Sequence, residues 1–220
     1  TDAVETLDDY PAPQKGSDDY YQITNERDLR WFAQAVNGGK RSINARLMND
    51  ITVDKNTQWT PIGTEAHRFK GIFDGNSKTI TGLTYTDTSV NYVGLVGYAS
   101  GATIQNVTVQ ESSLSGKEDI GGVCGYIKDG TITNCHAVKT AIGDSRGFAE
   151  FKDYGGIVGH ITGETTNVTD CTNSDGTVNG GYDLGGIVGC TEDARVQDCG
   201  NTGAVRPCLL YTSDAADDLI

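Results

Sequence analysis

Basic residues are scarce in this chain. Its 220 residues hold 17 Lys+Arg against 30 Asp+Glu, a formal net charge of −13, and no run of Lys or Arg breaks the acidic background. Phosphate backbones and anionic lipid surfaces are held by clustered cations, so this balance argues against nucleic acid as a partner. Apolar stretches near twenty residues are missing too, and the mean hydropathy is −0.39, so no membrane span is expected in this sequence. Proline is sparse, with 4 residues, and hydrophobic residues make up only 36%, whereas glycine reaches 29. That composition describes a chain dense in turns rather than a helical bundle.

Motifs that carry chemistry are also missing. The three histidines, His67, His136 and His160, are far apart, and neither His-x-x-x-His nor Cys-x-x-Cys occurs, so the local spacing of zinc or iron–sulfur ligands is absent. The Gly-x-x-Gly runs lack the Lys-Ser/Thr and the following helix of a phosphate-binding loop. The chain therefore reads as non-catalytic, with no catalytic, cofactor-binding or metal residue assigned.

The two ends stand apart from the rest. The first residue is Thr and no basic-then-apolar leader precedes it, so the chain reads as processed or as a fragment. Residues 1–17, with Pro11, Pro13 and Gly16, lack apolar periodicity and are expected to be a disordered linker. At the other end, Cys208 to Asp218 resembles one reading frame of a sequencing adapter, so 208–220 is expected to be a non-native tail. Setting it aside leaves five of the six cysteines.

What remains is repetitive. The segments Tyr92-Val-Gly-Leu-Val-Gly-Tyr98, Ile120-Gly-Gly-Val-Cys-Gly-Tyr126, Tyr154-Gly-Gly-Ile-Val-Gly-His160 and Leu184-Gly-Gly-Ile-Val-Gly-Cys190 align without gaps. Their paired glycines are Gly94 and Gly97, Gly122 and Gly125, Gly156 and Gly159, and Gly186 and Gly189, at spacings of 28, 34 and 30 residues. A second motif follows each: Thr103-Ile-Gln-Asn-Val107, Thr131-Ile-Thr-Asn-Cys135, Asn167-Val-Thr-Asp-Cys171 and Arg195-Val-Gln-Asp-Cys199. Short β-rich runs bounded by Gly, Asn and Asp at about thirty-residue intervals predict an all-β fold, a right-handed parallel β-helix or β-solenoid whose coils stack on one another. Equivalent positions would then form columns about 4.8 Å apart. Leu95, Val123, Ile157 and Ile187 make one apolar column, and Val96, Cys124, Val158 and Val188 make the next. Strand alternation would send these two to opposite faces, and the flanking glycines suggest a neighbouring layer that covers the outward stripe.

Upstream, Thr24 to Gly39 has a helical period. Thr24 or Asn25 can cap it, Leu29, Phe32, Ala33 and Val36 share one face, and Gly38-Gly39 ends it. Residues Tyr20 to Val53 are expected to cover the open end of the solenoid, within an 18–90 segment of cap and first coils, with the repeats at 91–207. Asp74-Gly-Asn76 is a turn signal.

The repeats resemble the GLUG motif, on Gly94-Leu-Val-Gly97 and its three echoes. The lead-in Trp59-Thr-Pro-Ile-Gly63, Phe69-x-Gly-x-Phe-Asp-Gly-Asn76 and Ile80-x-Gly-Leu83 is similar to the segment that opens such arrays. The resemblance implies a bacterial surface or secreted repeat module, adhesin-like or accessory to a large metallopeptidase, extracellular, and monomeric within a longer chain. It implies a host or neighbouring-cell protein or glycan as partner and transfers no catalytic residue.

Three columns are candidates for more than packing. Val107, Cys135, Cys171 and Cys199 share a position, and Val in the first place marks an inward column of thiols acting as small hydrophobes. Asp119, Asp153 and Asp183 recur just before the glycine cores; they are expected on a solvated turn face, with calcium as the alternative and no other cofactor. Paired acids also leave open a carbohydrate-active β-helix enzyme. Tyr98, Tyr126 and His160 share a column with Cys190 and form a candidate ligand face.

Overall fold

The computed structural model describes residues 11–143 and 151–207. The expected tail at 208–220, with Cys208, and the first ten residues of the expected linker lie outside the described residues. Each full coil passes through four ladders. In the third repeat these are Lys152–Gly155, Val158–Thr162, the bent pair Asn167–Thr169 and Thr172–Ser174, and Thr177–Gly180. Each strand pairs in parallel with its counterparts in the coils before and after, so the repeats stack as four parallel sheets of 11, 4, 5 and 3 strands. This is a β-solenoid.

Side chains of the long sheet explain why it forms. In register, Ala45, Phe73, Ile104, Ile132, Val168 and Val196 follow one another coil by coil. All but Val196 are fully buried; Val196, in the last described coil, is 40% exposed. A single coil has too little apolar surface to bury alone, so stacking supplies the core. Each buried Val, Ile or Phe contributes about 1.5–3 kcal/mol relative to exposure.

Corners explain the abundance of Asn and Asp. Left-handed backbone recurs in columns: Tyr92, Asp119, Asp153 and Asp183; Gly101, Asp129, Gly163 and Asp193; Asn106, Asn134, Asp170 and Asp198; and Glu111, Lys139 and Asp175. Only Gly, and among side-chain-bearing residues mainly Asn and Asp, enters this region readily. The conserved-looking Asn or Asp of the second motif is thus a corner, and Asn134 Nδ2 donates to Asn106 Oδ1 at 2.9 Å along it. The Asp74-Gly-Asn76 signal marks the same feature. It does not end a strand: the rung Ile72–Thr81 runs through it with a register irregularity between Asp74 and Lys78, and Asn76 and Ser77 are left-handed.

One helix, Glu26–Asn37, lies among the described residues, capped by Asn25, whose side chain accepts from the Asp28 N–H at 3.0 Å. The Thr24 N–H in turn donates to the Asp28 carboxylate at 2.9 Å. Its buried face places Phe32 against Phe69 and Phe73, with ring centroids 5.9 and 6.1 Å apart. The segment 20–53 is more than a cap, however, because Tyr20–Ile23 and Asn44–Leu47 pair in parallel and already form the first rungs. Within 11–17, expected as free linker, the Gln22 N–H donates to the Gln14 carbonyl at 2.8 Å and Lys15 bridges Tyr21 in antiparallel fashion, so this stretch folds back onto the first rung.

Both adjacent apolar columns are buried in the first three repeats. Leu95 and Val96, Val123 and Cys124, and Ile157 and Val158 are all fully buried. The chain bends at the first residue of each pair, since the strands begin at Val96, Cys124 and Val158.

Candidate functional site

The glycine-rich motif builds two ladders that pack closely together. One contains Glu118–Gly121, Lys152–Gly155 and Tyr182–Gly185; the other contains Val96–Ser100, Cys124–Lys128, Val158–Thr162 and Val188–Glu192. At Gly159 an added Cβ would lie 2.4 Å from the Ile120 nitrogen and 2.5 Å from the Asp119 carbonyl carbon. Backbone of one coil thus meets backbone of the other ladder at a distance no side chain permits.

That approach brings the acidic corner column to the aromatic column. Tyr98, Tyr126, His160 and Cys190 are in register. Ring centroids are 4.6 Å apart for Tyr98–Tyr126 and 5.1 Å for Tyr126–His160, with Tyr92 at 4.9 Å from Tyr98. His160 Nδ1 lies 3.1 Å from Asp119 Oδ1, and its Nε2 lies 3.8 Å from Glu192 Oε2. Among the described residues, ligand-type atoms of Asp119, Asp153 and His160 fall within 4.8 Å of one another, and so do those of His160, Cys190 and Glu192. Asp183 belongs to neither group.

The expected solvated face is therefore corrected for two of its three members. Asp119 is 6% and Asp153 4% exposed. Their left-handed corners point them under the neighbouring ladder rather than outward. Lys152 Nζ, beside Asp153 as the sequence suggested, is 3.6 Å from its Oδ2.

Electrostatics follow from this crowding. The hydrogen bond to Asp119 raises the His160 pKa, overcoming burial, with Asp153 and Glu192 adding to the rise. Burial raises that of Asp153, and the Asp119 charge reinforces it against Lys152 and His160. Burial, with Asp153 and Glu192 nearby, pushes the Cys190 thiol up to about 11.

The cysteine column faces inward as expected. Cys135 and Cys171 are buried, Cys199 is half-buried, and all three are free thiols. Their Sγ atoms lie 3.3, 3.1 and 3.1 Å from the carbonyls of Thr133, Thr169 and Gln197. Burial raises the Cys135 thiol well above its ordinary range. The hydrogen bond with Cys135 lowers the Cys171 thiol, against burial.

Comparison with known proteins agrees with this architecture. Residues 180–206 match the family model of the GLUG motif. The chain carries a GLUG motif. The chain is 32% identical over 158 residues to halomucin of Haloquadratum walsbyi, a match covering 67% of the chain and 2% of halomucin. It is 41% identical over 58 residues, 26% of the chain and 6% of the relative, to a protein of Evansella cellulosilytica named as a Gly-rich membrane protein. The GLUG-repeat chain thus spans only a small fraction of these relatives. A solved structure from Bacteroides ovatus, named as an immunoglobulin A1 protease, superposes with a TM-score of 0.54 over 92% of this chain and 79% of that one. At 17% identity this likeness concerns the fold.

Sequence reasoning found Tyr98, Tyr126, His160 and the aspartates but not their meeting. Glu192 and Tyr92 went unnoticed. The signal was present in the register: His160 and Cys190 are 30 residues apart, one full repeat. Local ligand spacing therefore says little about metal chemistry in a solenoid, where neighbours in space lie a coil apart in sequence.

Proposed function

We propose that this GLUG-repeat array is a non-catalytic surface module, part of a secreted or cell-surface protein, that presents one side face to a saccharide. The observation that carries the reading is the continuity of the Tyr92, Tyr98 and Tyr126 rings with a cleft of about 320 Å³ lined by Asn37, Pro61, Glu65, Tyr85 and Tyr92, among others. Aromatic rings beside amide and carboxylate groups suit the apolar face and hydroxyls of a sugar. In-register coils keep that face rigid, and the fold lengthens by adding repeats, which suits a rod that spaces or presents other domains.

The burial of Asp119 and Asp153 supports the non-catalytic reading over the carbohydrate-cleaving one. A retaining pair needs carboxyls about 5–5.5 Å apart on either side of a sugar, and these two oxygens, within 4.8 Å, are covered by protein. The halomucin likeness supports a surface location. The test is calorimetric titration of the chain with a panel of oligosaccharides, alongside an assay for new reducing ends. Saturable binding that Tyr92→Ala weakens tenfold or more, with no cleavage, is the expected result. Release of reducing ends, or binding indifferent to Tyr92→Ala, overturns it.

A further inference from the structure

His160 is held in an unusual way for a packing residue. Nδ1 engages the buried Asp119 carboxylate at 3.1 Å, which fixes the ring and its tautomer. Nε2 is buried and has no hydrogen-bond partner. An orphaned buried ring nitrogen is costly, on the order of 1–3 kcal/mol. It is also the arrangement of a metal-binding histidine, whose second nitrogen is oriented by a carboxylate while the first keeps its lone pair for the ion.

The surroundings supply the other donors. Cys190 is the rung partner of His160 in the next coil, and Glu192 lies two residues further along that strand. One donor atom from each of the three lies within 4.8 Å of the others. Zinc bonds of about 2.0–2.3 Å to nitrogen, oxygen and sulfur place tetrahedral ligand atoms roughly 3–4 Å apart. A swing of the Glu192 side chain, 63% exposed, closes that difference. Imidazole, thiolate and carboxylate together suit a borderline ion of the zinc type better than calcium, which takes oxygen ligands.

We infer that His160 Nε2, Cys190 Sγ and Glu192 Oε form a binding site for zinc or a similar divalent transition ion, clamping the third repeat to the fourth, with Asp119 as the residue that positions His160. Binding displaces the thiol proton of Cys190 to solvent and leaves a fourth coordination position for water. The site differs from the saccharide face and does not depend on it.

Cobalt(II) titration of the chelator-treated chain, followed by absorption, tests this. One equivalent is expected to give intense visible bands of a tetrahedral ion and a near-ultraviolet thiolate-to-cobalt band, both bleached by zinc. Cys190→Ser should abolish the thiolate band, Glu192→Gln should weaken binding at least tenfold, and Asp119→Asn by about 10–100-fold. Cys199→Ser should leave the spectrum unchanged, and zinc should raise the melting temperature of the wild type but not of Cys190→Ser. A thiolate band that survives Cys190→Ser, one lost in Cys199→Ser, or no saturable binding at all overturns the assignment.

Discussion

Asn173 Nδ2 donates to Asn201 Oδ1 at 2.9 Å, one coil apart. Val109 and Ala137 precede these two asparagines in the same column. The interior thus changes from apolar to amide partway along the array. Asn173 is 2% exposed, and its buried amide is tolerated because Asn201 in the next coil presents the complementary group.

Asn173→Ala is expected to lower stability by about 1–3 kcal/mol by removing that partner from a buried position. Gly156→Ala should cost more, because its added Cβ would sit 2.4 Å from Asn173 Nδ2 and 2.2 Å from the Gly186 carbonyl oxygen. Combining both substitutions relieves the side-chain clash but not the backbone one. The double variant should therefore melt no higher than Gly156→Ala alone, as read by urea titration. Recovery to the level of Asn173→Ala would show that the first glycine of the motif is set by the asparagine and not by coil spacing.

The corner columns make a cleaner prediction. Asp175 has φ 54° and is exposed. Asp175→Gly is expected to change stability by a few tenths of a kcal/mol, whereas Asp175→Val should cost about 1–2 kcal/mol through left-handed strain. Thermal melts of the two variants check this, and equal losses would mean that the side chain, not its backbone conformation, holds the corner.

Much of this fold is legible in the sequence because it repeats. Gly94, Gly122, Gly156 and Gly186 expose the period, and a period this short with strand-like runs leaves few architectures. The helix was legible through the Asn25 cap and the Leu29, Phe32 and Val36 face. What stayed hidden was the direction of side chains at bends. Asp119 and Asp153 sit at left-handed corners and are buried rather than solvated. Corner dihedrals are set by backbone conformation at single residues, which periodicity cannot report. The meeting of His160 with Glu192 depended on coil register, which follows only once the whole ladder is laid out.

Acid sensitivity should concentrate at Asp74. Burial pushes its carboxyl up, but hydrogen bonds from the Asn76 N–H at 2.9 Å and Asn106 Nδ2 at 3.1 Å, with Arg46 Nε at 3.1 Å, outweigh it and hold the group below the usual carboxylate range. A folded value below the unfolded one means that the contribution is present above the unfolded pKa, near 3.9 for Asp, and is lost as pH falls through the folded value. Asp74→Asn should therefore cost about 1.5–3 kcal/mol at neutral pH, and the gap to wild type should close below about pH 4. A gap that is constant with pH would assign the loss to hydrogen-bond geometry rather than charge.

The helix is expected to stabilise the array from its end. Phe32 fills the space above Phe69 and Phe73 and is fully buried, so Phe32→Ala should cost about 3–5 kcal/mol. Asn25→Ala, which removes the bond from the Asp28 N–H and an exposed one to Thr24 Oγ1, should cost about 1 kcal/mol. Solenoid stability is a sum of local and nearest-neighbour contributions, so the damage should be graded along the chain. Hydrogen exchange in Phe32→Ala should rise most in the rungs Tyr20–Ile23, Asn44–Leu47 and Ile72–Thr81, and least in Val158–Thr162. Uniform acceleration across all rungs would instead show that the array unfolds as a single cooperative unit, with the helix no more than one part of a shared core.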